Sequence, residues 1–493
     1  MNLKKYQDIK QYGKNKIGEY RFLLKPTLIL STIYLLAMSA ILRANFYYYD
    51  DIQRACWGWP EWGFSRHLSN ILSKFLHAEA YLSDISPLPQ LLAILIISLA
   101  SVIAVYLITE EKRFSFWHFV AAIPIGLSPY FLECLSYKYD SPYMALSVLF
   151  SVVPLLLCKG NQIVYFLSIV LCTIGMCTSY QASAGIFPML VVVMGIRNWI
   201  RGEKTGLTLR FYGISAAGYL VGLLLFRKLF MYQLIAYAST EMVPLSELIP
   251  SAIFTYKRYI VHFLEGFKPE WLVVSFLICV SFLWRAVSGS KHNKVLTLVL
   301  VSAAMVVMFL LSFGVYPFLE EAIFYPRAMY GIGCFIAFQG IFASTETSKG
   351  YGSKILCLML GWAFFVFAFT YGNALNVQAE YTDFRNTEVI DDLALCSELE
   401  GGEEVTLQIT GSIGYAPAVE SMITDFPMIE RLIPVTLKGD GWWGEFGLRY
   451  YYDLPKFQFA DTYDPPEGDF TMVAENYYHT IWEKENYIWI DLH

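Results

Sequence analysis

Two adjacent carboxylates, Asp50 and Asp51, stand in the stretch RANFYYYDDIQRACWGWPEWGFSR (43–66), among three arginines (Arg43, Arg54, Arg66), three tyrosines and three tryptophans. They follow directly on a long apolar run, where charge is costly unless it is paired or used. A carboxylate in such a place can take the proton from a hydroxyl as its oxygen attacks carbon. The competing reading is a solvated pair bridged to Arg54 or Arg43. A second acid, Asp140, lies in FLECLSYKYDSP (131–142), where it either caps the helix that Pro142 opens or joins Tyr137 and Lys138 in one pocket with Asp50. Asp84, just before Ser86-Pro87, reads more readily as a cap.

Cations matter if an anionic group must be held. Arg327 (in FYPRAMYG) stands where an outer loop enters the tenth apolar run, and Arg66, Lys257 and Arg258 lie on the interfacial segments 64–80 and 244–266. A guanidinium there can grip a phosphate through two hydrogen bonds, or simply reach toward lipid headgroups. Tyr180-Gln181 interrupts an apolar region and either bonds a polar substrate or joins neighbouring helices. Trp57, Trp59 and Trp62 lie close enough to the acids to stack on a ligand, although aromatic belts at membrane interfaces explain most of the 17% aromatic content. Asp50, Asp51 and Asp140 can also hold a divalent cation, but oxygen-ligand sites have no distinctive spacing, so the metal requirement stays open.

The elements that must position these groups are membrane helices. Of 493 residues, 56% are hydrophobic and only 16% charged, a balance no water-soluble domain can cover with polar surface. Apolar runs at 27–43, 87–108, 115–133, 142–158, 162–178, 182–196, 207–227, 271–287, 295–313, 328–345 and 355–372 make about eleven crossings, each near the length that a hydrocarbon core requires. The short basic gaps EEKR (110–113), Lys159, RNWIRGEK (197–204), SGSKHNK (288–294) and TSKGYGSK (347–354) alternate with longer aromatic ones. Together with the basic first 26 residues they predict a cytoplasmic N-terminus and, after an odd number of spans, an extracytoplasmic C-terminus. Segments 64–80 and 244–266 read as helices lying on the outer interface, the second divided at Pro250. Pro124, Gly126 and Pro129 predict a kink in the third span.

Residues 1–372 thus form a polytopic helical membrane domain and 373–493 a separate body, with 23 Asp and Glu against 6 Lys and Arg. That acidic balance excludes a nucleic-acid partner. A helix is expected over 373–402, then strands in EVTLQITG, KFQFADTYD, FTMVAEN and NYIWIDLH, giving a small α+β domain. Cys56 and Cys396 both fall outside by this topology, so a disulfide between them is conceivable.

The motifs YYYDDIQRACWGWPEWGFSRHLSNIL, SDISPLPQLLA, FLECLSYKYDS, TSYQAS, PRAMYGIG, NALNVQAEYTDF and VTLQITG, in that order, resemble the serotype-converting O-antigen glucosyltransferases of bacteria and their phages. The resemblance runs over nearly the whole chain. It implies a GT-C type fold in the bacterial inner membrane and transfer of a hexose, usually glucose, from a polyprenyl-phosphate carrier to a surface polysaccharide. It also implies Asp50 or Asp51 as the catalytic acid, with Asp140 and Arg327 lining the pocket. A lipid-linked sugar flippase is the alternative, and charge concentrated in the outer loops favours the one-sided site of a transferase.

Overall fold

The computed structural model describes residues 18–58, 62, 65–232, 241–345, 350–397, 405–439, 443–452, 457–460, 462 and 464–493. Lys4 to Lys16, Trp59, Phe64, part of TSKGYGSK, Gly401-Gly402 and Trp442 lie outside them. Each of the eleven apolar runs is helical. Eight of the resulting helices are long and apolar enough to cross a membrane, from Arg21–Ala44 to Gly352–Leu393. The third run is a pair, Phe116–Leu127 and Pro129–Ser136, bent by 59° at the break where Pro129 restarts the chain. Ser141–Leu157 and Gly331–Ala343 are shorter apolar helices. The molecule is therefore a polytopic helical membrane protein.

Local chemistry sets the helix ends. Asn161 and Asn293 start two spans by accepting the backbone N–H groups of Ile163 and Val164, and of Val295 and Leu296. The first and last spans pack backbone to backbone at Gly372, where a Cβ would lie 2.5 Å from the main chain of Ala40. At one end of the bundle Glu110, itself in a basic gap, gathers Lys159 (2.7 Å), Arg197 (3.0 Å) and Arg201 (2.5 Å) from two others. The acids and arginines singled out above gather at the opposite end.

The two candidate interfacial segments are helical at His67–Leu76 and Leu248–Gly266. Ile71 and Phe75 point outward while Ser69 and Ser73 are buried, Ser69 donating to the Ser179 carbonyl at 3.1 Å. Apolar faces turned away from the protein suit contact with lipid. Pro250 does not divide the second helix: it sits in the first turn, where no backbone N–H is needed.

The last helix runs unbroken for 42 residues, Gly352–Leu393, so the shift in composition at 372/373 falls inside a helix. Its far end buries Val389 and Leu393 in the core of a five-stranded sheet. The strands are β1 (Val405–Gly411), β2 (Phe457–Phe459), β3 (Thr471–Glu475), β4 (His479–Lys484) and β5 (Tyr487–Leu492), in the order β2-β1-β5-β4-β3. β1 is parallel to β2 and β5, and the remaining pairs are antiparallel. Cys56 and Cys396 do not form the disulfide that their shared side of the membrane made conceivable. Cys56 faces the Phe446 carbonyl, Cys396 is buried in the sheet-domain core, and both are free thiols.

Candidate functional site

Beyond the first span the chain turns sharply. Asn45 takes a left-handed conformation, and Tyr49 holds φ 44° and ψ −106° before the short helix Asp50–Trp57. A bulky residue at positive φ stores about 1–3 kcal/mol of strain, which persists only where the surroundings impose it. Here the turn sends the two neighbouring carboxylates into different surroundings.

Asp51 is fully buried and saturated. Its Oδ2 accepts the backbone N–H of Tyr48 (3.0 Å) and of Lys138 (2.9 Å), and its Oδ1 that of Tyr139 (3.3 Å). It pins the end of the bent third span to the Asp50 helix. Asp50 is half-buried, and its carboxylate has no hydrogen bond or ion pair among the described residues. Burial raises its pKa above the ordinary carboxylate range; Arg54 opposes this, Asp140 adds to it, and Arg327 and Arg66 pull it down. One acid is thus structural and its neighbour is available.

Asp140 is also committed. It accepts the indole N–H of Trp62, and Arg66 Nη1 lies 3.4 Å and Arg54 Nε 3.7 Å from its oxygens. It makes no side-chain cap. Arg54 stacks on the Trp62 ring at 4.0 Å and Arg66 on Tyr180 at 4.7 Å. Tyr180, buried, stacks on Tyr330, and its hydroxyl reaches the carbonyl of Arg327 (3.4 Å). Gln181 opens the following helical turn and is half-buried.

Arg327 is oriented by Glu133, a buried acid that sequence reasoning did not single out. Glu133 Oε1 accepts Arg327 Nη1 at 2.7 Å, and Oε2 accepts the Arg327 backbone N–H at 2.5 Å. The signal was present, because an isolated charge within PYFLECLS is unusual for a span. The guanidinium lies over the rings of Tyr325 (4.4 Å) and Tyr137 (5.4 Å). Its Nε and Nη2 carry no hydrogen bond among the described residues.

Other candidates fall elsewhere. Lys138 sends its ammonium to Asp84 (3.2 Å) and over the Tyr47 ring (3.5 Å), away from Asp50. Asp84 also accepts from Ser86 and from the Tyr47 hydroxyl, closing the turn before the second span. Trp57, about half exposed, packs edge-on against Phe446. Lys257 is exposed, and Arg258 covers the Phe324 ring at 3.9 Å. Asp50, Asp51 and Asp140 do not form a metal cage: Asp51 and Asp140 are spent on nitrogen donors, and no group of three potential ligands occurs among the described residues.

One free carboxylate, three guanidiniums and stacked tyrosines at one end of a helical bundle, beneath a small α+β domain, define a polytopic membrane protein with a polar centre facing one side. The comparisons supply the chemistry. The family model described as Glucosyl transferase GtrII matches residues 39–338, and the chain belongs to this glucosyltransferase family. It is also 23% identical over 428 residues, 82% of this chain and 85% of the relative, to an uncharacterized 55.3 kDa protein in the gtrB 5' region of Salmonella phage P22. No solved structure matches.

Proposed function

We propose that the protein transfers a hexose, most simply glucose, from a polyprenyl-phosphate carrier to a hydroxyl of a cell-surface polysaccharide such as O-antigen, on the extracytoplasmic side of the bacterial inner membrane. The observation that carries this reading is the unpartnered Asp50 carboxylate within the electrostatic reach of Arg54, Arg66 and Arg327. In the step, the acceptor oxygen bonds to the anomeric carbon and its proton passes to Asp50. The bond from that carbon to the phosphate oxygen breaks, and the electron pair leaves with the polyprenyl phosphate.

A phosphate monoester is already a stable leaving group, so cations rather than a general acid serve the departing side. Arg327, held by Glu133 with Nε and Nη2 turned free, suits that role, and Arg66 and Arg54 reinforce the positive field. A double displacement would require a second available carboxylate as nucleophile. Asp51, Asp140 and Glu133 are each engaged, which supports single displacement with inversion at the anomeric carbon. The test is transfer by the purified protein, in lipid, from polyprenyl-phosphate glucose to isolated polysaccharide, with the anomeric configuration of the product read by NMR. No transfer, or a retained configuration, would overturn the reading.

A further inference from the structure

A cleft of about 580 Å³ lies between the strained turn at Tyr49 and the C-terminal domain, within the range of about 300–1,000 Å³ typical of small-ligand sites. Its walls carry Tyr49, Tyr415, Ser412, Glu430 and Lys438, with Gly411 and Gly439 also lining it. We infer that this cleft is the acceptor subsite, where an oligosaccharide strand lies across Tyr415 and Tyr49 with its reacting hydroxyl directed toward Asp50. The inference rests on the glycosyl-transfer reading above.

Three features favour a glycan over the other ligands such a reaction brings. Aromatic faces next to a carboxylate, an ammonium, a hydroxyl and main-chain groups provide both the stacking and the mixed donors and acceptors that sugar hydroxyls need. The surrounding domain carries 23 carboxylates against 6 cations, which disfavours an anionic lipid phosphate, while Arg54, Arg66 and Arg327, the arginines suited to that phosphate, are not among the residues that line the cleft. The wall is also anchored. Buried Gln378 of the last helix donates to the Gly414 carbonyl (3.2 Å) and accepts the Ala416 N–H (2.9 Å), and the Tyr415 hydroxyl donates to the Glu430 carbonyl (2.9 Å). Gly411 and Gly414 both hold positive φ in this wall, and a Cβ at Gly439 would strike the Ile409 carbonyl at 2.5 Å, so the turns that line the cleft depend on glycine.

Tyr49 links the cleft to the reaction. Its electrostatic neighbours include Glu133, Arg327 and Tyr325 of the polar centre and Tyr415 of the cleft wall, and the next residue in the chain is Asp50. An acceptor seated against Tyr49 is therefore one residue from the proposed base.

The test uses the full-length protein in nanodiscs with polyprenyl-phosphate glucose and purified O-polysaccharide. Tyr415→Ala, which removes a face, and Ser412→Trp, which fills the cleft from an exposed position, should each raise the acceptor KM about tenfold or more, with the donor KM unchanged. Both should weaken polysaccharide binding, followed by intrinsic fluorescence without donor, by a similar factor. Unchanged acceptor KM and binding in both variants would overturn the inference while leaving the transfer reading intact, and a raised donor KM would assign the cleft to the carrier instead. Failure of the unmodified protein to transfer would overturn both.

Discussion

The carboxylate of Asp51 accepts the backbone N–H of Lys138 at 2.9 Å, joining the short helix after the first span to the end of the bent third span. This contact, with those from Tyr48 and Tyr139, separates two neighbouring acids by function: one holds the backbone and the other faces the centre. Asp50→Asn should lower the transfer rate by about 100-fold or more while the protein stays folded, the loss expected when a general base is removed. Asp51→Asn should instead lower thermal stability, because its amide nitrogen faces N–H donors and leaves at least one of them without an acceptor, a cost of about 1–3 kcal/mol. Unfolding in detergent and turnover, measured on both variants, separate the two roles. A stable, inactive Asp51 variant beside an active Asp50 variant would reverse the assignment.

The pH profile follows from the same geometry. A base works only when deprotonated, and burial holds the Asp50 pKa above the ordinary carboxylate value of about 3.9. Activity should therefore fall as pH drops through this raised value. Arg54 is the strongest group opposing the rise, so Arg54→Gln should move the acidic limb of kcat/KM to higher pH. A limb that stays where it was would mean that Asp50 is not the titrating group.

Arg327→Lys tests the phosphate grip more cleanly than truncation to alanine. Alanine would leave Glu133 buried without its partner, a loss of about 3–5 kcal/mol that confounds folding with binding. Lysine keeps the charge but loses the planar fork. The donor KM should rise by about tenfold, with the acceptor KM little changed. A change confined to kcat would place Arg327 at the transition state only.

Much of this was legible in the sequence because membrane physics is repetitive. The eleven apolar runs are helices, and Pro124, Gly126 and Pro129 mark the 59° bend. Pairings between distant segments were not legible. Nothing in the dipeptide Asp50-Asp51 says that one acid meets three N–H groups, since two of them come from residues 138 and 139. β4 escaped notice because His479, Thr480 and Ile481 are all buried, so the alternation that marks a half-exposed strand is missing. The cleft wall escaped for a related reason: Ser412, Tyr415, Glu430 and Lys438 are unremarkable separately and meet only through the fold.

Orientation can be tested by labelling. The gap residues joined through Glu110 and the acids gathered around Arg327 stand at opposite ends of the bundle, so one end must face the cytoplasm. The basic gaps favour the Glu110 end. Ser412→Cys, exposed on the sheet domain, should react with a membrane-impermeant maleimide in intact cells once the outer membrane is opened. Lys204→Cys, exposed in the gap before Thr205–Leu229, should react only after the inner membrane is breached. The opposite pattern would put Asp50 in the cytoplasm, where a polysaccharide already exported could not reach it, and would force the acceptor to be an intracellular glycan.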